Sequence, residues 1–152
     1  MEASEVIKTF CERVGIAFEP DDDGTVSLEV DGSVVTINDL REIDAIVIVG
    51  DLGEPPPERL EALYKVMLEA NYLFGGTCGA TISRDPKTGR FALCRVMPCV
   101  IADGDFFYAE VERFASTLET WVKIIRDFRD APPDGDPPMS MPSGGTSGFL
   151  AV

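Results

Sequence analysis

The chain has 152 residues, 45% of them hydrophobic, and its 13 basic and 27 acidic side chains leave a net charge of −14. That length suits one domain and buries ~70% of the surface an unfolded chain would expose, so no disulfide or metal is needed for folding. The charge excludes general nucleic-acid binding, which rests on Lys/Arg contacts to phosphate, and it repels anionic membranes. With no histidine, Ser-His and Cys-His nucleophile pairs, a histidine general base and imidazole metal ligands are all removed at once.

The charge is uneven. Residues 1–52 hold 13 acids against Lys8, Arg13 and Arg41, a net of −10. Such a surface serves solubility or attracts basic partners. The opening MEASEVIKTF is acidic and is not read as a signal peptide, and no apolar run approaches the ~20 residues of a membrane span. Cys11, Cys78, Cys94 and Cys99 make no CxxC pair. They are read as free thiols of a reducing cytosol rather than a zinc or redox site.

The first helix is predicted from Ser4 to Val14, where Val6, Ile7, Phe10, Cys11 and Val14 recur at helical spacing and Gly15 can take the left-handed position beyond the end. Strands Thr25–Val30 and Ser33–Asn38 follow, each alternating apolar and polar residues. Asp31-Gly32 between them is a two-residue hairpin turn, which sets the register: Val30 faces Ser33, Leu28 faces Val35, and Val26 faces Ile37. Ala45–Val49 is apolar throughout and reads as a central strand covered on both faces. Pro57 suits the first position of a second helix, predicted from Pro57 to Tyr72. Leu60, Leu63, Met67 and Ala70 form its inner stripe, with Tyr64, Leu68 and Asn71 on a neighbouring one.

Gly75-Gly76 ends that helix. Ala80–Arg84 and Arg90–Met97 make a second hairpin around Asp85–Gly89. In the last helix Phe107, Val111, Phe114, Leu118, Trp121, Ile125 and Phe128 step by 4-3-4-3-4-3, with Asp103 or Asp105 as cap. This pattern suits a long helix lying across a sheet. Residues 131–152 contain five prolines, four glycines and no basic residue. The expected organisation is one domain over 1–130 and a disordered tail over 131–152, dispensable for folding. The apolar end Phe149-Leu150-Ala151-Val152 could serve as a short docking motif.

Two motifs imitate chemistry. Glu19, Asp21, Asp23 and Gly24 fall at positions 1, 3, 5 and 6 of a calcium loop, but position 12 is Val30 where a bidentate Glu is required. The segment is read as a solvated turn. Gly75-Gly-Thr-Cys-Gly79 looks like a phosphate-cradling loop, yet it follows a helix and opens a strand, the reverse of such loops. Neither the carboxylates nor Cys78 argues for catalysis, and no cofactor or metal is expected.

The order α-β-β-β-α-β-β-α makes the fold α+β. That order, Ile46–Glu54, Leu60–Tyr64, the run Met67-Leu-Glu-Ala-Asn71 followed by Gly75-Gly76, and Thr81–Arg90 together resemble the CesT/Tir-chaperone family, the class I chaperones of bacterial type III secretion. The resemblance covers residues 4–129. It implies an antiparallel twisted sheet with helices packed on it, and a non-enzymatic homodimer of the bacterial cytoplasm. Its partner would be a secreted effector, whose N-terminal chaperone-binding segment is kept extended and secretion-competent. Nucleic acid and membrane are not among its partners.

The effector segment is expected on the first helix and adjoining sheet, at Val6, Phe10, Leu28, Val35 and Ile37, with Val26 beside them. Core burial would produce the same hairpin pattern. The dimer interface is expected at Leu63, Met67, Leu68 and Tyr72, divided between core and contact. A regulatory module of the same fold that binds a folded partner is the alternative. A small carboxylate- or Cys78-dependent enzyme would instead need a deep pocket with convergent polar groups.

Overall fold

A computed structural model of the chain describes residues 2–132. From residue 133 onward the predicted tail lies outside the described residues, and with it the Phe149–Val152 motif. Helix α1 spans Ala3–Val14 and stops at Gly15, whose φ of 76° is the expected left-handed cap. The first hairpin pairs β1, Thr25–Val30, with β2, Ser33–Leu40, in the predicted register. Its turn residues Asp31 and Gly32 have φ of 49° and 83°, the mirror-image turn that suits right-twisted strands.

Strand β3 is Ala45–Gly53, longer than expected, and helix α2 is Leu60–Asn71. Strands β4, Thr81–Arg84, and β5, Phe91–Pro98, form the second hairpin, and helix α3 runs from Gly104 to Asp130. The five strands lie in the order β1-β2-β3-β5-β4, every pair antiparallel.

One face of the sheet carries the core. Ile46, Ile48, Val35, Ile37, Leu93 and Met97 are at most 1% exposed there. The whole predicted stripe of α3, from Phe107 to Phe128, is buried against it. Gly50 permits the close approach: a Cβ there would stand 2.6 Å from a methyl of Leu118. Asp103 caps α3 by accepting the Phe106 amide at 2.8 Å, which satisfies one of the free donors of the first turn.

Two expectations are corrected. The central strand is covered on one face only among the described residues. Val47 and Val49 point to the opposite face and stay half-buried, next to the exposed Val34 and Val96. The alternation along β3 is hidden in its sequence because both faces carry branched aliphatics. Helix α2 begins at Leu60 rather than Pro57, preceded by Arg59 at φ 62°. A left-handed Arg59 breaks any right-handed run from Pro57, so the helix starts only after it.

Candidate protein-binding surfaces

The two edges of the sheet differ. At β4, Asn71 closes the edge: its Oδ1 accepts the Ile82 amide at 2.9 Å and its Nδ2 donates to the Ile82 carbonyl at 3.1 Å. The side chain thus stands in for a neighbouring strand. At β1, the two-residue turn makes Val30 and Ser33 a hydrogen-bonded pair, so alternate residues Thr25, Ser27 and Glu29 turn their backbone groups outward. Thr25 is occupied. Its carbonyl accepts the Asp21 amide at 3.0 Å, and its amide donates to Asp21 Oδ1 at 2.9 Å. Ser27 and Glu29 present an open ladder, spaced two residues apart as strand addition requires.

Beside that edge runs a groove of about 710 Å³ between β1, the end of α1 and α3. Phe10, Val26, Leu28 and Val111 give it an apolar floor, and Glu19, Asp21 and Glu112 an acidic rim. Arg13 lies 3.9 Å over the ring of Tyr108 at one wall. A hydrogen bond to Glu112 pushes the Tyr108 phenol above its ordinary pKa, so it is a neutral hydroxyl at physiological pH.

The second surface is the outer side of α2. Leu63 and Met67 are buried, whereas Tyr64, Leu68 and Tyr72, four residues apart, form an exposed stripe, with Leu68 at 69% and Tyr72 at 75%. A 3-10 turn over Tyr72–Phe74 extends it, with Leu73 80% exposed. Leu73 and Phe74 have φ of 51° and 57°, a strained geometry for bulky residues. Beneath this turn the Trp121 indole donates to the Gly76 carbonyl at 2.9 Å.

The expected site residues separate on this structure. Val6, Val35 and Ile37 are at most 1% exposed and Phe10 4%, so the first three are core and Phe10 shows only an edge to the groove. Leu28, half-buried on the groove floor, is the one that faces outward. Of the α2 set, Leu63 and Met67 are core and Leu68 and Tyr72 are surface. Reading α2 as an ordinary helix end overlooked Leu73 and Phe74, although an apolar Tyr-Leu-Phe run between helix and glycines is a visible signal. Asn71 enters the sequence reading only through a helix stripe and a motif, and Tyr108 and Glu112 not at all.

Among the described residues several polar groups pair with one another. Arg90 donates twice to Asp51, at 3.0 and 2.7 Å, and holds that carboxyl below the usual aspartate range. Burial pushes the Cys11 and Cys99 thiols up. Glu110, 5% exposed, is held at 2.8 Å by Arg95 and 2.9 Å by Arg113, a cluster that ties α3 to β5. Among the described residues no group of three or more Cys, Asp or Glu could hold a metal ion. In the calcium-like loop Asp21 Oδ1 is instead bonded to the Asp23 and Thr25 amides. No described helix is long and apolar enough to cross a membrane.

No curated protein matches the chain by sequence. Solved structures do match in fold. A chain of the ExsC–ExsE complex superposes with a TM-score of 0.70 at 18% identity, over 82% of this chain and 97% of that one. The ExoU–SpcU heterodimer of the Pseudomonas aeruginosa type III secretion system contributes a chain with a TM-score of 0.63 at 20% identity, over 78% and 97%. The complex of the Yersinia pestis type III secretion chaperone SycH with a stable fragment of YscM2 matches at 0.61 and 16%, over 78% and 98%. The model of the Tir chaperone protein (CesT) family matches residues 5–122. With three helices on one face of a five-stranded antiparallel sheet and a family match over most of its length, the chain belongs to the Tir chaperone protein (CesT) family, the chaperones of type III secretion.

Proposed function

We propose that the protein binds the N-terminal segment of a secreted effector in extended form in the bacterial cytoplasm, without catalysing a reaction. The observation that carries this reading is the open β1 edge above the apolar-floored, acid-rimmed groove. A client strand adds to Ser27 and Glu29 through its main chain and sets alternate apolar side chains beside Leu28. Basic side chains between them point to the opposite face of the sheet, where Glu29 lies, so the chemistry favours an alternating apolar and basic segment. The large negative charge keeps such a surface soluble. The exposed α2 stripe supports self-association through Leu68 and Tyr72, with Leu63 and Met67 bracing the helix from below. The structures of related fold are complexes, which agrees with a protein-binding role.

The test is co-expression with an effector's N-terminal segment, followed by size analysis. A co-eluting complex that Leu28→Glu abolishes is expected. Binding of a folded partner in preference to the segment would favour the regulatory alternative, and binding insensitive to Leu28→Glu would overturn the groove assignment.

A further inference from the structure

The exposed stripe of α2 has a possible occupant within the chain itself. The described chain ends at Pro132, whose carbonyl accepts a hydrogen bond from Arg59, and Arg59 immediately precedes α2. The chain therefore leaves α3 at one end of the open outer face of α2. Arg59, Lys65, Glu61 and Glu69 flank that face, and Tyr64 and Leu68 lie on it. The stripe continues to Tyr72, Leu73 and Phe74 at its far end.

Twenty residues follow Pro132, and their order matches the order along this surface. Asp134 and Asp136, the only charged side chains among them, come first, where Arg59 and Lys65 stand on either side of Glu61. Residues 137–152 carry no charged side chain and can pass Glu69 without repulsion. Phe149 and Leu150 come near the end, where the apolar turn is. The lengths agree as well. From Arg59 to Leu73 is about 20 Å at the helical rise, and a coil of the seventeen-residue length that separates Pro132 from Phe149 has a root-mean-square span of about 23 Å.

We propose that residues 133–152 fold back over α2 of their own protomer, with Phe149 and Leu150 seated against Leu68, Tyr72 and Leu73. The segment is then an internal competitor for the face that a second copy would use. The docking stands on its own, while the competition rests on the self-association proposed above. A protomer whose α2 face is covered must release its tail before it associates, so the apparent dimerisation constant is weakened by the uncovered fraction.

The experiment uses the full chain with Phe149→p-benzoylphenylalanine, irradiated as a mixture of isotopically light and heavy protein and mapped by mass spectrometry. Intrachain crosslinks to residues 64–74 are expected, with a lower yield in Asp134→Lys/Asp136→Lys. Crosslinks in the β1 groove, crosslinks between chains alone, or no crosslink would overturn the docking. Sedimentation of Phe149→Asp/Leu150→Asp then tests the competition. Its dimerisation Kd should fall about tenfold or more, and an unchanged Kd would overturn the competition. A chain that never dimerises in either form would remove the self-association reading, while the crosslink still decides the docking.

Discussion

Asn71 and Ile82 share two hydrogen bonds, side chain to backbone, at 2.9 and 3.1 Å. This one contact seals an edge strand of only four residues and fixes the end of α2 to the sheet. It gives the asparagine of the Met67–Asn71 motif a physical task. Among the described residues, the longer open stretch of edge is then at β1.

Replacing Asn71 by Ala leaves the Ile82 amide and carbonyl without partners, which costs ~1–3 kcal/mol. Asn71→Asp keeps the acceptor and loses the donor, so it should fall between parent and alanine variant. Urea denaturation of the three proteins checks the order.

Phe10 and Leu28 should separate stability from binding. Phe10 packs edge-on against Phe107, with ring centres 5.4 Å apart, so Phe10→Ala should cost ~3–5 kcal/mol. Leu28→Glu at the half-buried groove floor should cost ~1 kcal/mol and abolish client binding. Denaturation and co-elution, measured on both variants, check the contrast.

That contrast marks how far the sequence could be read. Asp31-Gly32 demands positive φ at both positions, so the whole hairpin register was legible from two residues. The α3 stripe was legible because seven large apolar residues keep one period. Core and contact were not separable on α1 or β2, because Val6 or Ile37 alternates in the same way whether a helix or a client covers it. The Asn71 clamp was invisible because its partner lies eleven residues away across a turn. Leu73 and Phe74 escaped because their exposure depends on a left-handed backbone that local propensity disfavours.

Leu68→Asp/Tyr72→Asp places charges on the exposed α2 stripe without touching Leu63 or Met67. The variant should keep the native circular dichroism spectrum and sediment as a monomer at micromolar concentration. A dimer that persists would place self-association on another face.

The Asp51–Arg90 pair predicts an acid-side stability change. Because Arg90 lowers the folded pKa of Asp51, the pair stabilises the protein above the ordinary aspartate value of about 3.9. That contribution disappears as pH falls through the lower folded value. Asp51→Asn should be less stable than the parent at pH 7, and the two denaturation midpoints should converge as the pH falls below the ordinary aspartate range. An unchanged gap would assign the effect to packing.

Trp121 is the chain's single tryptophan, fully buried with its indole bound to the Gly76 carbonyl. The protein therefore carries its own optical reporter, placed under the α2–β4 turn. Its emission should be blue-shifted in the resting state and indifferent to a strand added at Ser27 and Glu29. Any event that lifts the Tyr72–Phe74 turn admits water to the indole and moves the spectrum to the red. Two kinds of occupancy are thus distinguishable in a cuvette, without a label.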